Sequence, residues 1–578
     1  MKKILRHFAL AFCVATVCSP IAVNALEQND DAAIVRNLDI FNNLYKELNT
    51  FYVDTIDVQK NMEIAIAAML DDIDPYTEFI PAKNQEEFMV ISTGEYGGIG
   101  SYIMQRKGGG VYISEPYQNS PAAKAGLKPG DHIIMIDNDS VAKWTSDSVS
   151  AKLKGQANTK VRVTVARPYA GADSILSFNI TREKIKMDPV QFHGVVRGNI
   201  GYINLNTFNE HSAEQVKSAL LEFKKNPAVK YIALDLRGNG GGLLESAVQI
   251  VGFFVPKGTQ VLQTKGRVKQ NEKTYKTTDD PIDTKIPLAV LIDGGSASSS
   301  EITAGSLQDL DRAVIIGSRS FGKGLVQATR PLPFNSLLKV TIAKYYIPSG
   351  RLIQELDYSH RNADGSAKRI PDSLTHVFHT ANGREVRDGG GITPDIKIDY
   401  PDMTRLVYNI IRDNWAFDFA TKYASQHATI PAPKDFEITD TIFNEFKSFV
   451  NADKFNYDKV CEEGLKNLKK AAKTEGYMND STEAAFAHLE KLLKHDLKHD
   501  LDIHRKEISK LLAQEIIKRY YYQAGQIEYS LKADETIDRA ELMFVQPGEY
   551  DKILGNGGKN TTKATKEKSK QAKKPKRG

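Results

Sequence analysis

The sequence predicts a multidomain α+β protein, with an α/β layered core, a smaller β-rich module inserted ahead of it, and helical regions at both ends. Three observations carry this. A chain of 578 residues exceeds what one hydrophobic core can organise. Residues 184–400 alternate strand-like and helix-like segments, the order of a layered α/β domain. Residues 91–183 show short β-like runs broken by Gly and Pro, whereas 26–90 and 401–548 carry apolar residues three and four apart. At 41% hydrophobic and 26% charged residues, the composition is that of a globular chain.

Residues 1–25 read as a signal peptide. Lys2, Lys3 and Arg6 precede an apolar run from Phe8 to Val17, and Val23-Asn24-Ala25 offers small residues for cleavage after Ala25. A retained anchor and a lipidated Cys18 stay open, but the apolar run is short for a bilayer and Val17 is bulky for a lipidation site. The expected location is therefore exported, periplasmic or associated with the cell envelope. Cys13 and Cys18 lie in this segment, so the mature chain keeps only Cys461 and forms no internal disulfide.

Residues 26–90 form the N-terminal helical region, with Ile34, Leu38, Phe41, Leu44 and Leu48 on one face. The stretch "LDDIDPYTEFIP" (Leu70 to Pro81) interrupts it through Asp-Pro. In the β-rich module, "GGVYISEPY", "HIIMIDND" and "KVRVTVARP" are strand candidates. "NSPAAKAGLKPGDHIIMID" (Asn119 to Asp137) is similar to the central segment of PDZ domains, and "GEYGGIGSYI" resembles their glycine-rich loop. The resemblance implies a PDZ domain at 91–183. Gly97, Gly98, Ile99 and Gly100 would bind a peptide's terminal carboxylate through backbone N–H groups while the peptide adds as a strand.

Within 184–400, "YIALDLRGNGGG" is a buried strand entering glycines, and "PLAVLIDGGSASSSEI" is a second strand that turns on Gly294-Gly295 into a serine-rich helix start. "VIIGSRSFGKG" (Val314 to Gly324) matches G-x-x-x-x-G-K and so imitates a phosphate-binding loop. Gly324 stands where magnesium needs Ser or Thr, and "GLVQATRPLP" opens no helix whose N-terminus would face phosphates. The better partner for Lys323 is a serine at the upstream turn. Serine needs a base to become a nucleophile, and an uncharged lysine can be that base. A serine at a helix start is ordinarily a cap and a lysine ordinarily solvated, so neither residue is informative alone.

Together they are. "GGSASSSEITAGSLQDLDRAVIIGSRSFGKGLVQ" resembles the active-site block of the carboxyl-terminal processing proteases, S41-type serine endopeptidases with a PDZ domain. The resemblance extends over about residues 35–400, including "DIDPYTEF", "DLRGNGGGLL", "YYIPSGRLIQ" and "GGITPDI". It implies a crotonase/ClpP-like layering of the 184–400 protease domain and a Ser–Lys dyad. Ser298 is the nucleophile, Lys323 the general base 25 positions on, and Gln327 orients the lysine. The oxyanion hole falls to the backbone N–H of Ser299 and of Gly241, with Gly242 next in line. Which neighbouring serine attacks stays open; Ser296 and Ser300 read as structural, and Asp309 as a helix-end support rather than a third catalytic member. No metal, nucleotide or other cofactor is implied.

The implied partners are protein or peptide substrates with free, apolar C-termini. The alternative from another class is a catalytically silent PDZ-type scaffold; Ser298, Lys323 and Gln327 together speak against it. In the helical region 401–548, His495 and His499 stand four apart, a metal-binding spacing, but "KHDLKHDLDIH" has the mixed charge of a solvated helix. This region leaves a homodimer open. Residues 549–578 read as a disordered basic tail, in which eight Lys and one Arg face one Glu after residue 558. Removing this +8 and the leader's +3 from the chain's +5 leaves the body near −6, which excludes a nucleic-acid-binding body. Peripheral contact of the tail with an anionic membrane stays open.

Overall fold

The computed structural model describes residues 31–169, 174–457 and 460–556. The segment read as a signal peptide and most of that read as a basic tail lie outside these residues. The chain divides into two compact units: that up to Pro81 with Thr329–Val340, and Ala82–Ala328 with the chain from Thr341 onward.

In the first unit, residues 31–51 are helical, and Asp57 caps a second helix, Val58–Asp71, by accepting the Lys60 N–H at 3.0 Å. The Asp-Pro break has a physical cause. The buried Asp74 carboxylate accepts the N–H groups of Tyr76 and Thr77, both at 2.8 Å, and the Thr77 hydroxyl at 3.0 Å. That turn delivers the strand Glu78–Ile80, which pairs antiparallel with Leu337–Lys339.

The second unit is built on a six-stranded sheet in the order Val190–Val196, Ile200–Leu205, Tyr231–Asp235, Leu288–Ile292, Val314–Gly317 and Ile396–Lys397. The first pair is antiparallel and the others parallel. Leu288–Ile292 and Val314–Gly317 are apolar without alternation because both faces of the sheet are covered. Leu205, Leu234, Val290 and Ile292 enter a core with the helices Ser212–Lys225, Leu244–Gly252 and Ser299–Asp309. Their neighbours Tyr202, Ala233, Ala289 and Leu291 point the other way. There they meet Ile537, Ala540, Met543 and Phe544 of the helix Glu535–Val545.

The end of the C-terminal region is thus the third layer of the α/β core, although its sequence reads as a separate helical region. The ordered fold also runs past residue 549, where the sequence reading starts the disordered tail. Glu549–Ile553 is helical, Leu554 is buried, and the Tyr550 hydroxyl accepts the Leu288 N–H at 3.0 Å and donates to the Arg312 carbonyl at 3.1 Å. The basic composition begins only at Lys559; Tyr550, Ile553 and Leu554 before it are apolar enough to pack.

The β-rich module is a sheet ordered Ser101–Gln105, Val111–Pro116, His132–Ile136, Lys160–Arg167, Ser174–Thr181. Its helices Pro121–Ala125 and Ser146–Leu153 are capped by Ser120 and Thr145. A paired stem, Glu95–Gly98 with Glu183–Lys186, joins it to the core. The remaining C-terminal helices have their own core, including Phe419, Phe443, Phe446 and Ile516. Arg106 of the module docks onto it by donating to both Asp418 oxygens, its guanidinium 5.5 Å from the Phe417 ring centre.

Met543 is fully buried beneath the sheet. Met543→Ala is expected to cost about 2–5 kcal/mol of stability, read as a lower urea midpoint with unchanged slope.

Candidate active site

The site forms where three turns at the C-terminal ends of parallel strands meet: 236–243 after Tyr231–Asp235, 293–298 after Leu288–Ile292, and 318–324 after Val314–Gly317. Ser298 ends the second turn as N-cap of the helix Ser299–Asp309, with φ +57° and ψ −113°. A serine held there costs on the order of 1–3 kcal/mol, so neighbouring contacts must over-determine it.

One side chain does most of this. The fully buried Glu301 takes four donors on its two carboxylate oxygens. The Ser298 N–H (2.8 Å) and Lys323 N–H (2.9 Å) reach Oε2, while the Gly322 N–H (2.7 Å) and the Ser320 hydroxyl (2.6 Å) reach Oε1. The nucleophile candidate and the base candidate are therefore fixed to a common carboxylate. From the opposite polarity, the buried Tyr345 hydroxyl points at the carbonyls of both Lys323 (2.8 Å) and Ser298 (3.3 Å). Burial raises the Tyr345 hydroxyl well above the usual phenol range, with the Glu301 charge adding to it, so it stays a donor.

The turn carrying Lys323 depends on glycine. Gly322 has φ +90°, and a Cβ there would stand 2.6 Å from the Glu355 Cβ. After Lys323 the chain enters the strand Leu325–Leu332, so no helix follows this turn as a phosphate-binding loop requires. Lys323 and Gln327 are half-buried, and Gln327 Nε2 donates to Thr341 Oγ1 at 3.2 Å.

The glycine turn is fastened to the serine turn by the buried Asn239. Its carbonyl accepts the Ala297 N–H (3.0 Å) and the Ser300 hydroxyl (2.8 Å), while its Nδ2 donates to Leu205 O (2.8 Å). Ser296 donates to the Leu236 carbonyl at 2.8 Å, so Ser296 and Ser300 both tie the two turns together. Gly241 comes close to Ser298, a Cβ on it falling 2.8 Å from the Ser298 Cβ. Its N–H, however, is buried and donates to Asn239 Oδ1 at 2.9 Å. That engagement counts against Gly241 as an oxyanion donor. Among the described residues no hydrogen bond engages the N–H of Gly242, which is exposed, or of Ser299. Gly242 is itself irreplaceable sterically, since a Cβ there would lie 2.0 Å from the Phe208 carbonyl oxygen.

Asp309 lies at the far end of the helix, about 16 Å along its axis from Ser298. It pairs with buried Arg351 at 2.8 Å and accepts the Ser349 N–H at 3.0 Å. Neither contact touches the three turns. His495 stacks on Tyr457 at 4.0 Å between ring centres. Of the module's candidate residues, Gly98, Ile99 and Gly100 are buried, whereas Gly97 lines an apolar cavity of about 810 Å³ with Met89, Val90, Tyr96, Lys154 and Gly155.

Glu301, Tyr345 and Asn239 escaped the sequence reading. Glu301 has a local signal, the Ser-x-x-Glu spacing of a capping box. Tyr345 and Asn239 have none.

Comparison with known proteins assigns a class to this geometry. Residues 199–358 match the model of peptidase family S41, 112–167 that of a PDZ domain, and 406–544 one described as "Probable PDZ-protease, C-terminal helical domain". The chain is 34% identical over 357 residues to a carboxy-terminal-processing protease of Bartonella bacilliformis, covering 61% of this chain and 80% of that one. It is 31% identical over 500 residues to a "Probable CtpA-like serine protease" of Staphylococcus aureus strain COL, covering 86% of this chain and 90% of that one. A solved photosystem II D1 C-terminal processing protease aligns at 26% identity and a TM-score of 0.33, over 62% of this chain and 92% of that one. The protein is a serine peptidase, and the scaffold alternative falls away. It belongs to the carboxy-terminal processing proteases of peptidase family S41.

Two outcomes follow from the site. Burial pushes the Glu301 carboxyl up to about 7, against the pull of its four hydrogen bonds. The folded protein then holds that proton more tightly than the unfolded chain does. Its contribution is full below about pH 4.5 and is lost as pH rises through about 7, a span on the order of 3 kcal/mol. The stability difference between wild type and Glu301→Gln should decline over that window in urea titrations at stepped pH. Asp309→Ala leaves buried Arg351 without its ion-pair partner and should destabilise the fold by about 3–5 kcal/mol, measured by urea denaturation.

Proposed function

We propose that this protein is an endopeptidase working through a Ser298–Lys323 dyad on exported proteins. One observation carries the reading: Glu301 and Tyr345 together hold the backbone N–H and C=O groups of both Ser298 and Lys323. Ser298 Oγ attacks the scissile carbonyl carbon while the neutral Lys323 amine takes its proton. The resulting ammonium returns that proton to the leaving amine as the peptide C–N bond breaks. Water, deprotonated in turn by Lys323, hydrolyses the acyl-enzyme. Gln327, on the strand after the lysine, orients it. The developing oxyanion is taken by the N–H groups of Ser299 and Gly242, the latter preferred to the engaged Gly241. No metal enters these steps.

The crotonase/ClpP-like layering of the 184–400 domain is part of this reading, supported by the parallel strands and the helices on both sheet faces. Recognition of free apolar C-termini by the PDZ domain is supported by the strand Ser101–Gln105. It stands at a sheet edge with one partner strand, and Ser146–Leu153 packs beside it. Placement of the protein in the periplasm or cell envelope, its signal peptide, membrane contact of the basic tail and a homodimer belong to the same proposal and rest on the sequence alone.

Ser298→Ala and Lys323→Ala should each lower cleavage of an unfolded protein substrate by at least about 10³-fold, in chelator and without nucleotide. Either variant cleaving near the wild-type rate while folded would rule out the dyad.

A further inference from the structure

The turn that carries the oxyanion glycines has a second attachment, on the side away from the serine. It leads to a residue almost three hundred positions downstream. Arg237 lies two residues past the end of the strand Tyr231–Asp235, at the start of the glycine turn. Its guanidinium is shared between two carboxylates. Nε donates to Asp235 Oδ1 at 2.9 Å and one terminal nitrogen to Asp235 Oδ2 at 2.5 Å. The two terminal nitrogens also reach Asp534 Oδ1 at 3.1 Å and Oδ2 at 2.7 Å, a bidentate pair. Asp235 is in turn held by the Tyr202 hydroxyl at 2.6 Å.

Asp534 has a second duty. It is the N-cap of the helix Glu535–Val545, accepting the N–H groups of Thr536 (3.0 Å) and Ile537 (3.2 Å). Side-chain exposures of 19% for Arg237, 3% for Asp235 and 11% for Asp534 place the cluster mostly out of water, where such bonds are strong. Burial by itself would raise the Asp534 carboxyl, but the hydrogen bonds and charge of Arg237 outweigh it and hold the group below its usual value.

Asp534 lies among the residues matched by the helical-domain model and outside those matched by the peptidase model. The helix it caps is the one packed on the far face of the central sheet. Resting on the proposed Ser–Lys reading, we infer that Arg237 and Asp534 are positioning residues, through which the C-terminal helical region fixes the 236–243 turn and so the Gly242 end of the oxyanion hole. The serine side of that turn is held by Asn239; the outer side is held by this pair. Gly242 is also tied locally, its carbonyl accepting the Ser299 hydroxyl at 2.9 Å and the Leu243 N–H after it donating to the Phe208 carbonyl at 2.7 Å. The Arg237–Asp534 pair fixes where the turn starts, and an oxyanion donor misplaced by about 1 Å loses much of its effect.

The test uses the full chain and a fluorogenic peptide ending in an apolar residue, together with the same peptide as a boronate. The boronate adds to Ser298 and presents a tetrahedral anion to the hole. Asp534→Ala and Arg237→Ala should lower kcat by about 10²-fold, the effect of losing one oxyanion donor, with KM within about threefold of wild type. Boronate affinity should fall in parallel with kcat. Asp534→Asn keeps the cap through its one amide oxygen, because Asn caps as well as Asp, and loses the charge and the second acceptor facing Arg237; kcat should fall by about 10-fold. If the alanine variants fail to fold, Asp534→Asn decides. The inference is overturned if a folded variant keeps kcat and boronate affinity within about threefold of wild type, or if KM rises as much as kcat falls. Failure of the dyad itself would appear separately, as cleavage surviving Ser298→Ala.

Discussion

The site depends on a carboxylate buried where no water can serve it. Glu301 satisfies its two oxygens with four donors drawn from two turns that are remote in sequence. Each bond answers a need on the other side. Ser298 sits in a backbone conformation that L residues avoid, and its N–H would otherwise be an orphan at a helix start. The 318–324 turn has no regular structure of its own and borrows a helix residue as its acceptor. Desolvation makes the carboxylate costly and makes each bond to it strong, so the arrangement persists as a set or not at all.

The same economy recurs across the other turns. Tyr345 donates toward the carbonyls that flank the peptide groups whose N–H Glu301 accepts. Asn239 links the glycine turn to the serine turn with its carbonyl while its side chain fixes the strand Ile200–Leu205 and Gly241. Polar side chains buried between turns thus do here what ladder hydrogen bonds do inside the sheet. The serines of "SASSS" divide accordingly: Ser296 and Ser300 hold backbone carbonyls of the glycine turn, Ser299 Oγ holds that of Gly242 at 2.9 Å, and Ser298 remains as the reactive candidate.

Much of the architecture was legible in the sequence because its causes are local. Strands covered on both faces read as unbroken apolar runs, as in "PLAVLI" and "RAVIIG", and Ser120-Pro121 announces a helix start. Ser298 and Lys323 were singled out through their motif, and the fold brings their two turns together. The partners that hold them were not, since the Lys323–Glu301 contact spans 22 residues and exists only once the sheet has aligned the two turns. In "GNGGG" the sequence reading favoured Gly241, with Gly242 next, because the Asn239 side chain that engages the Gly241 N–H is visible only in the fold. The tail boundary was misplaced because Tyr550 and Leu554 matter only through the sheet face they cover.

That covering layer has a bearing on how the molecule comes into being. Synthesis proceeds from the N-terminus, so all six strands of the central sheet have left the ribosome before residues 537–554 are made. Through that interval one sheet face, with Tyr202, Ala233, Ala289 and Leu291, has no lid of its own chain. A chain broken off during this time keeps the sticky face of an unfinished protein, the kind of surface that chaperones and quality-control proteases bind. The segment 537–554 therefore serves as a completion mark for the sheet: its arrival covers the face that a shorter fragment leaves open.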